Sequence, residues 1–95
     1  MGYKRLEATV IGRVQGVGFR YFVEANANLL NVTGWVANQW DGSVRVVAEG
    51  KEDDINEFLK ILWKGPRLAY VNDIRYKIVD IDRVNFVSFD IRFGE

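Results

Sequence analysis

The apolar pattern of this chain switches back and forth between a period of two and a period of about 3.6 residues, and the order of those switches limits its folds most. Residues 6–13 hold Thr9, Val10 and Ile11 and read as a strand running into Gly12. Over about residues 21–30, Phe22, Ala25 and Leu29 fall three and four apart, predicting a helix that buries this stripe. Asn31 suits a left-handed cap at its end. Residues 34–40 and 43–49 are extended runs joined by Asp41-Gly42, the strongest short-range hairpin signal in the chain. Glu52, Asp53 and Asp54 open a second helix, whose stripe is Ile55, Phe58, Leu59 and Leu62. Beyond Gly65-Pro66 comes a strand over about residues 70–79. A short one follows over about residues 87–93, where Val87, Phe89, Ile91 and Phe93 alternate with polar residues.

The order β-α-β-β-α-β predicts an α+β, ferredoxin-like sandwich: an antiparallel sheet of four to five strands with two helices on one face. Ninety-five residues leave room for one domain, 1–95, and thirteen aromatics supply large side chains for its core. Trp35 and Trp40 are expected to cover core and hairpin surface. The fold hosts enzymes, RNA binders and regulatory domains, so function has to come from particular residues.

What the chain lacks removes whole classes of chemistry. Without cysteine it has no disulfide framework, thiolate nucleophile or zinc ribbon. Without histidine it has no imidazole base, no Ser–His or Cys–His pair and no histidine metal ligand. Thirteen basic and thirteen acidic residues cancel, which argues against binding driven by the charge of a nucleic-acid backbone. No run approaches the roughly 20 apolar residues needed to span a bilayer, and the first residues carry no apolar export signal. The expectation is a monomeric, cytoplasmic protein with neither membrane nor nucleic-acid partner.

The stretch Gly12-Arg13-Val14-Gln15-Gly16-Val17-Gly18-Phe19-Arg20 lies between the first strand and the first helix. A glycine-rich turn entering a helix directs unpaired backbone N–H groups toward one spot, where the helix dipole also favours an anion. Arg20 adds a planar, permanently charged fork suited to phosphate oxygens. Together they form an oxyanion cradle. It is not a Walker loop, which needs Gly-Lys-Ser/Thr, and it lacks the third glycine of the dinucleotide fingerprint.

That loop, followed by an aromatic-rich helix and by the string GWVANQWDGSVRVVAEG, closely resembles the acylphosphatase family from about Leu6 to Gly65-Pro66. The resemblance implies hydrolysis of the carboxyl–phosphate bond of a small acyl phosphate, giving a carboxylate and inorganic phosphate. It implies that Arg20 binds the phosphoryl group together with the amides of Gln15, Gly16, Val17, Gly18 and Phe19. It implies that Asn38 holds the attacking water and that no metal or cofactor takes part. The chain departs from the family at Ala37, a position commonly arginine; in a strand its side chain points away from Asn38, so the site is expected to survive.

Other readings compete with this one. A non-catalytic anion-binding or regulatory domain fits the cradle alone. An RNA-binding module draws on Gly18-Phe19-Arg20-Tyr21-Phe22-Val23, but that run leads into a helix and its spacing is one residue too long for the RNA-recognition motif. Glu52-Asp53-Asp54 reads as acids complementing a helix dipole rather than as a cation site.

Overall fold

The computed structural model describes residues 2–93. In chain order these form β1 (Tyr3–Arg13), α1 (Phe19–Leu29), β2 (Thr33–Asn38), β3 (Val44–Lys51), α2 (Glu52–Lys64), β4 (Tyr70–Ile81) and β5 (Phe89–Arg92). The strands make one five-stranded sheet in the order β4-β1-β3-β2-β5. Each helical crossover skips a strand, so β3 lies between β1 and β2, and β1 lies between β3 and β4. This is the expected ferredoxin-like arrangement, with one amendment. The four strands β1 to β4 pair antiparallel, but β5 adds to the edge parallel to β2. The long connection after β4 returns the chain to the far edge of the sheet, where it can enter alongside β2 in the same direction.

Register sorts the side chains into two faces. Leu6, Ala8 and Val10 of β1 stand opposite Ala48, Val46 and Val44 of β3, and all six are buried. Val36 of β2 joins them opposite Val46. The helices lie on this face and touch each other, α1 over β2 and β5, α2 over β1, β3 and β4. Phe58 of α2 meets Phe89 of β5 edge-on at 5.9 Å, which closes the core at that side. Fully burying an aliphatic or aromatic side chain of this size stabilises by about 1.5–3 kcal/mol, so these few residues dominate the fold.

Three expectations need correction. The buried stripe of α1 is Phe19, Val23 and Ala27, while Ala25 and Leu29 face outward. The helix starts at Phe19, earlier than the periodicity suggested, and the large Phe19 ring turns the inward face toward itself. Phe22 keeps a partly buried place beside that ring, 6.2 Å away. Trp40 covers nothing: it stands 95% exposed on the β2–β3 turn. Trp35 does cover the sheet, on the face without helices, with the Arg92 guanidinium 4.5 Å above its ring. Finally, the last strand holds only four residues, so Val87 and Phe93 lie outside it and are exposed. Asn31 takes the left-handed conformation foreseen for it, at φ 58°.

On the open face the carboxylate of Glu49 is wholly buried. It accepts hydrogen bonds from Arg5 Nε at 2.7 Å and from the Asn85 backbone N–H at 2.6 Å. The Asn85 amide adds a longer one at 3.2 Å. Glu49 thereby pins the β4–β5 connection to the middle of the sheet. Burial opposes its ionisation, but Asn85 and Arg5 outweigh that and hold the carboxyl below its ordinary range. A carboxyl lowered on folding contributes stability above its unfolded pKa, and that contribution disappears as pH falls through the folded value. Glu49→Gln should therefore lower unfolding free energy by about 1.5–3 kcal/mol at pH 7. Urea denaturation at pH 7 and pH 3 checks this: the gap should narrow in acid, and an equal gap at both would contradict it.

Candidate active site

The site lies at the end of the sheet where β1 finishes, α1 begins and β2 finishes. Between β1 and α1 the chain turns through Gly16 and Gly18, both left-handed at φ 73° and 79°. A side chain there would strain the backbone by about 1–2 kcal/mol, so glycine is what lets the loop fold back over its own helix start. Gly18 is the N-cap of α1, and no side chain caps the helix. The first-turn amides have no acceptor within the helix. No acid sits in that first turn, in contrast to α2, whose first turn holds Glu52, Asp53 and Asp54. The two helix starts therefore differ in kind: α2 carries its own negative charge in its first turn, and α1 carries none.

Arg20 stands beside that end. Its guanidinium lies 4.9 Å from the centre of the Phe93 ring, and Nη1 makes a long 3.4 Å contact to the Arg92 carbonyl oxygen. Among the described residues it pairs with no carboxylate. Arg92 at the end of β5 and Phe93 just beyond it thus hold Arg20 from the side, by one weak hydrogen bond and stacking, without competing for it as a counter-ion would.

Asn38 comes from the end of β2. It stands opposite Val44, hence on the helix-bearing face, whereas Ala37 stands opposite Arg45 on the other face, as alternation requires. The Oδ1 atom of Asn38 is buried and has no hydrogen-bond partner among the described residues. A buried acceptor left in that state costs about 1–3 kcal/mol, a burden that folding alone gives no reason to keep.

A cavity of about 140 Å³ joins these parts, lined by Val14, Gly16, Gly18, Phe19, Arg20, Tyr21 and Asn38. That is about four to five water volumes, the scale of a phosphoryl group with a water beside it. A larger cleft of about 560 Å³ lies at the opposite end of the sheet, around Tyr3 and Lys51, but its wall carries the acids Glu52, Asp53 and Asp54, which oppose an anion. Among the described residues no cluster of three acidic side chains is placed to hold a metal ion, and no helix is long and apolar enough to cross a membrane.

Of the residues singled out from the sequence, Gly16, Gly18, Phe19, Arg20 and Asn38 share the wall of one cavity; Gln15 and Val17 do not line it. Gln15 sends its side chain away, into the β2–β3 turn. Tyr21, which had no assigned role, is part of the wall and 64% exposed. Phe93 was also missed as a partner of Arg20, since nothing in the spacing of the last strand links it to residue 20.

Among the described residues, this ferredoxin-like α+β domain thus gathers a helix start without a side-chain cap, an arginine without a carboxylate partner and a carboxamide oxygen without a hydrogen bond around one small cavity. The comparisons narrow this. The family model described as Acylphosphatase matches residues 6–91. An acylphosphatase of Salinibacter ruber is 48% identical over 79 residues, covering 83% of this chain and 78% of that one. One of Methanocella arvoryzae is 39% identical over 89 residues, covering 94% of this chain and 99% of that one. The crystal structure of acylphosphatase from Bacillus subtilis superposes with a TM-score of 0.88 at 36% identity, covering 94% of this chain and 98% of that one. The chain belongs to the acylphosphatase family.

The orphaned oxygen yields a prediction. Asn38→Ala removes no side-chain hydrogen bond to another described residue, so it should change unfolding free energy by less than about 1 kcal/mol. Urea denaturation measures this, and a loss above about 2 kcal/mol would mean that the carboxamide is a structural bond after all.

Proposed function

We propose that this enzyme hydrolyses a small acyl phosphate by gripping its phosphoryl group with Arg20 and the backbone amides from Gln15 to Arg20, while Asn38 sets water against phosphorus. The observation that carries the proposal is the pairing, in one cavity, of an uncompensated guanidinium with a buried carboxamide oxygen that the protein leaves unbonded.

The chemistry asks for little more. Water attacks phosphorus, the bond from phosphorus to the acyl oxygen breaks, and the carboxylate departs with the electron pair. Its conjugate acid has a pKa of about 4, so it leaves without protonation and the absence of histidine is no obstacle. The barrier lies in aligning the water and in stabilising charge on the phosphoryl oxygens, matters of position and electrostatics. The amides and Arg20 meet the charge. Removing one such donor typically costs about 3–4 kcal/mol of transition-state stabilisation, on the order of 10²–10³ in rate. Asn38 can accept from and donate to the water but has no basic site for its proton. That proton passes to a phosphoryl oxygen of the substrate, which becomes the inorganic phosphate released.

The same reading takes the chain as one domain over residues 1–95, acting as a cytoplasmic monomer on a small molecule without metal, cofactor, nucleic acid or membrane. The test is hydrolysis of an aryl acyl phosphate in EDTA with inorganic phosphate as inhibitor. Full activity should persist in the chelator. Arg20→Ala should abolish both turnover and phosphate inhibition, whereas Asn38→Ala should lose about 10²-fold or more in kcat and remain inhibited by phosphate. Full turnover in Asn38→Ala would remove the water-orienting role; phosphate inhibition surviving in Arg20→Ala would remove the grip.

A further inference from the structure

The loop and the hairpin that share the work come from stretches more than twenty residues apart, and one side chain ties them together. Gln15 Nε2 donates to the Gln39 carbonyl at 2.7 Å and to the Ser43 carbonyl at 2.8 Å. Those two carbonyls also close the turn between β2 and β3, since the Gln39 N–H donates to the Ser43 oxygen at 2.9 Å and the Gly42 N–H to the Gln39 oxygen at 3.1 Å. Ser43 is buried, and its hydroxyl donates toward Asp41 Oδ1 at 2.6 Å and lies 2.9 Å from Gln39 Oε1. Both hydrogens of the Gln15 amide thus enter a turn that is already braced from within. Among the described residues these are the only hydrogen bonds between residues 14–18 and 39–43.

The neighbours make the tie consequential. Gln15 precedes Gly16, which lines the cavity, and Gln39 follows Asn38, which lines it from the other side. We propose that the Gln15 side chain is a positioning residue: a strut that fixes the distance from the anion-binding loop to the Asn38 carboxamide, and through it the alignment of water with phosphorus. Its backbone amide belongs to the phosphate grip, but the side chain acts at one remove, through the turn. Amide geometry suits the task because two N–H donors diverging from one nitrogen meet two separate carbonyl acceptors, each with a lone pair to spare. A misplacement of about 1 Å at a reacting pair costs on the order of 10²-fold in rate, so a strut of this length can govern kcat without touching substrate.

The inference rests on the water-orienting role of Asn38, and its test separates the two. Gln15→Met keeps length and loses both donors. It should lower kcat by about 10- to 100-fold while the inhibition constant of inorganic phosphate stays within about threefold. In an Asn38→Ala background the same change should alter kcat by less than about twofold, because the group it aligns is gone. Gln15→Glu supplies a second readout. Ionised, it sets a carboxylate against two carbonyls; protonated, it donates one hydrogen bond, so its kcat relative to the unchanged enzyme should rise as pH falls from 8 to 5. Unchanged kcat in Gln15→Met, an equal loss in both backgrounds, or a flat relative pH profile for Gln15→Glu would each overturn the strut. Should Asn38→Ala keep full turnover, the water-orienting role falls and the strut with it; if Asn38→Ala is impaired and Gln15→Met is not, the strut alone falls.

Discussion

The start of α1 is the constraint on which the rest of this structure depends. Its first-turn amides face a cavity with no side-chain cap and no acid in that first turn, and Arg20 adds a full positive charge to that end. Isolated, such a concentration of donors and charge is unfavourable, and proteins usually relieve it as this chain does at α2, with acids in the first turn. Leaving it unrelieved makes sense when an anion supplies the missing charge and acceptors during turnover. The two left-handed glycines are the local means of holding the loop in that shape.

Sheet topology brings the other parts to the same place. Because the crossover through α1 skips one strand, β2 ends beside the loop that follows β1, with β3 between them. The parallel addition of β5 next to β2 then brings Arg92 and Phe93 to the flank of Arg20. Glu49, buried at the centre of the open face, secures the connection that makes this return. A group far from the cavity therefore helps define where the Arg20 guanidinium stands, through backbone routing rather than contact.

Much of this was legible in the residues. The glycine spacing and Arg20 pointed to an anion cradle because that chemistry is local, confined to consecutive residues of one turn. The hairpin at Asp41-Gly42 was equally clear, since its turn type imposes its own residues. The resemblance drew attention to Asn38, and alternation in β2 then separated it correctly from Ala37. Less could be read where distant segments decide the outcome. The face of α1 was misplaced because Phe22, Ala25 and Leu29 satisfy the helical period as well as Phe19, Val23 and Ala27 do; only the sheet beneath chooses between them. The parallel edge pairing of β5, the stacking of Phe93 on Arg20 and the bracing of the turn by Gln15 all join residues far apart in the chain. No local pattern encodes them.

We place the dianion at the start of α1 rather than anywhere else on the molecule. Titration of the isotope-labelled protein with inorganic phosphate, followed amide by amide by NMR, tests it most directly. The backbone amides of residues 15–20 and the Asn38 side-chain amide should shift together along one saturating curve, while those around Lys51 and Asp53 stay still. Shifts that cluster at the opposite end of the sheet, or that never saturate at the loop, would contradict it.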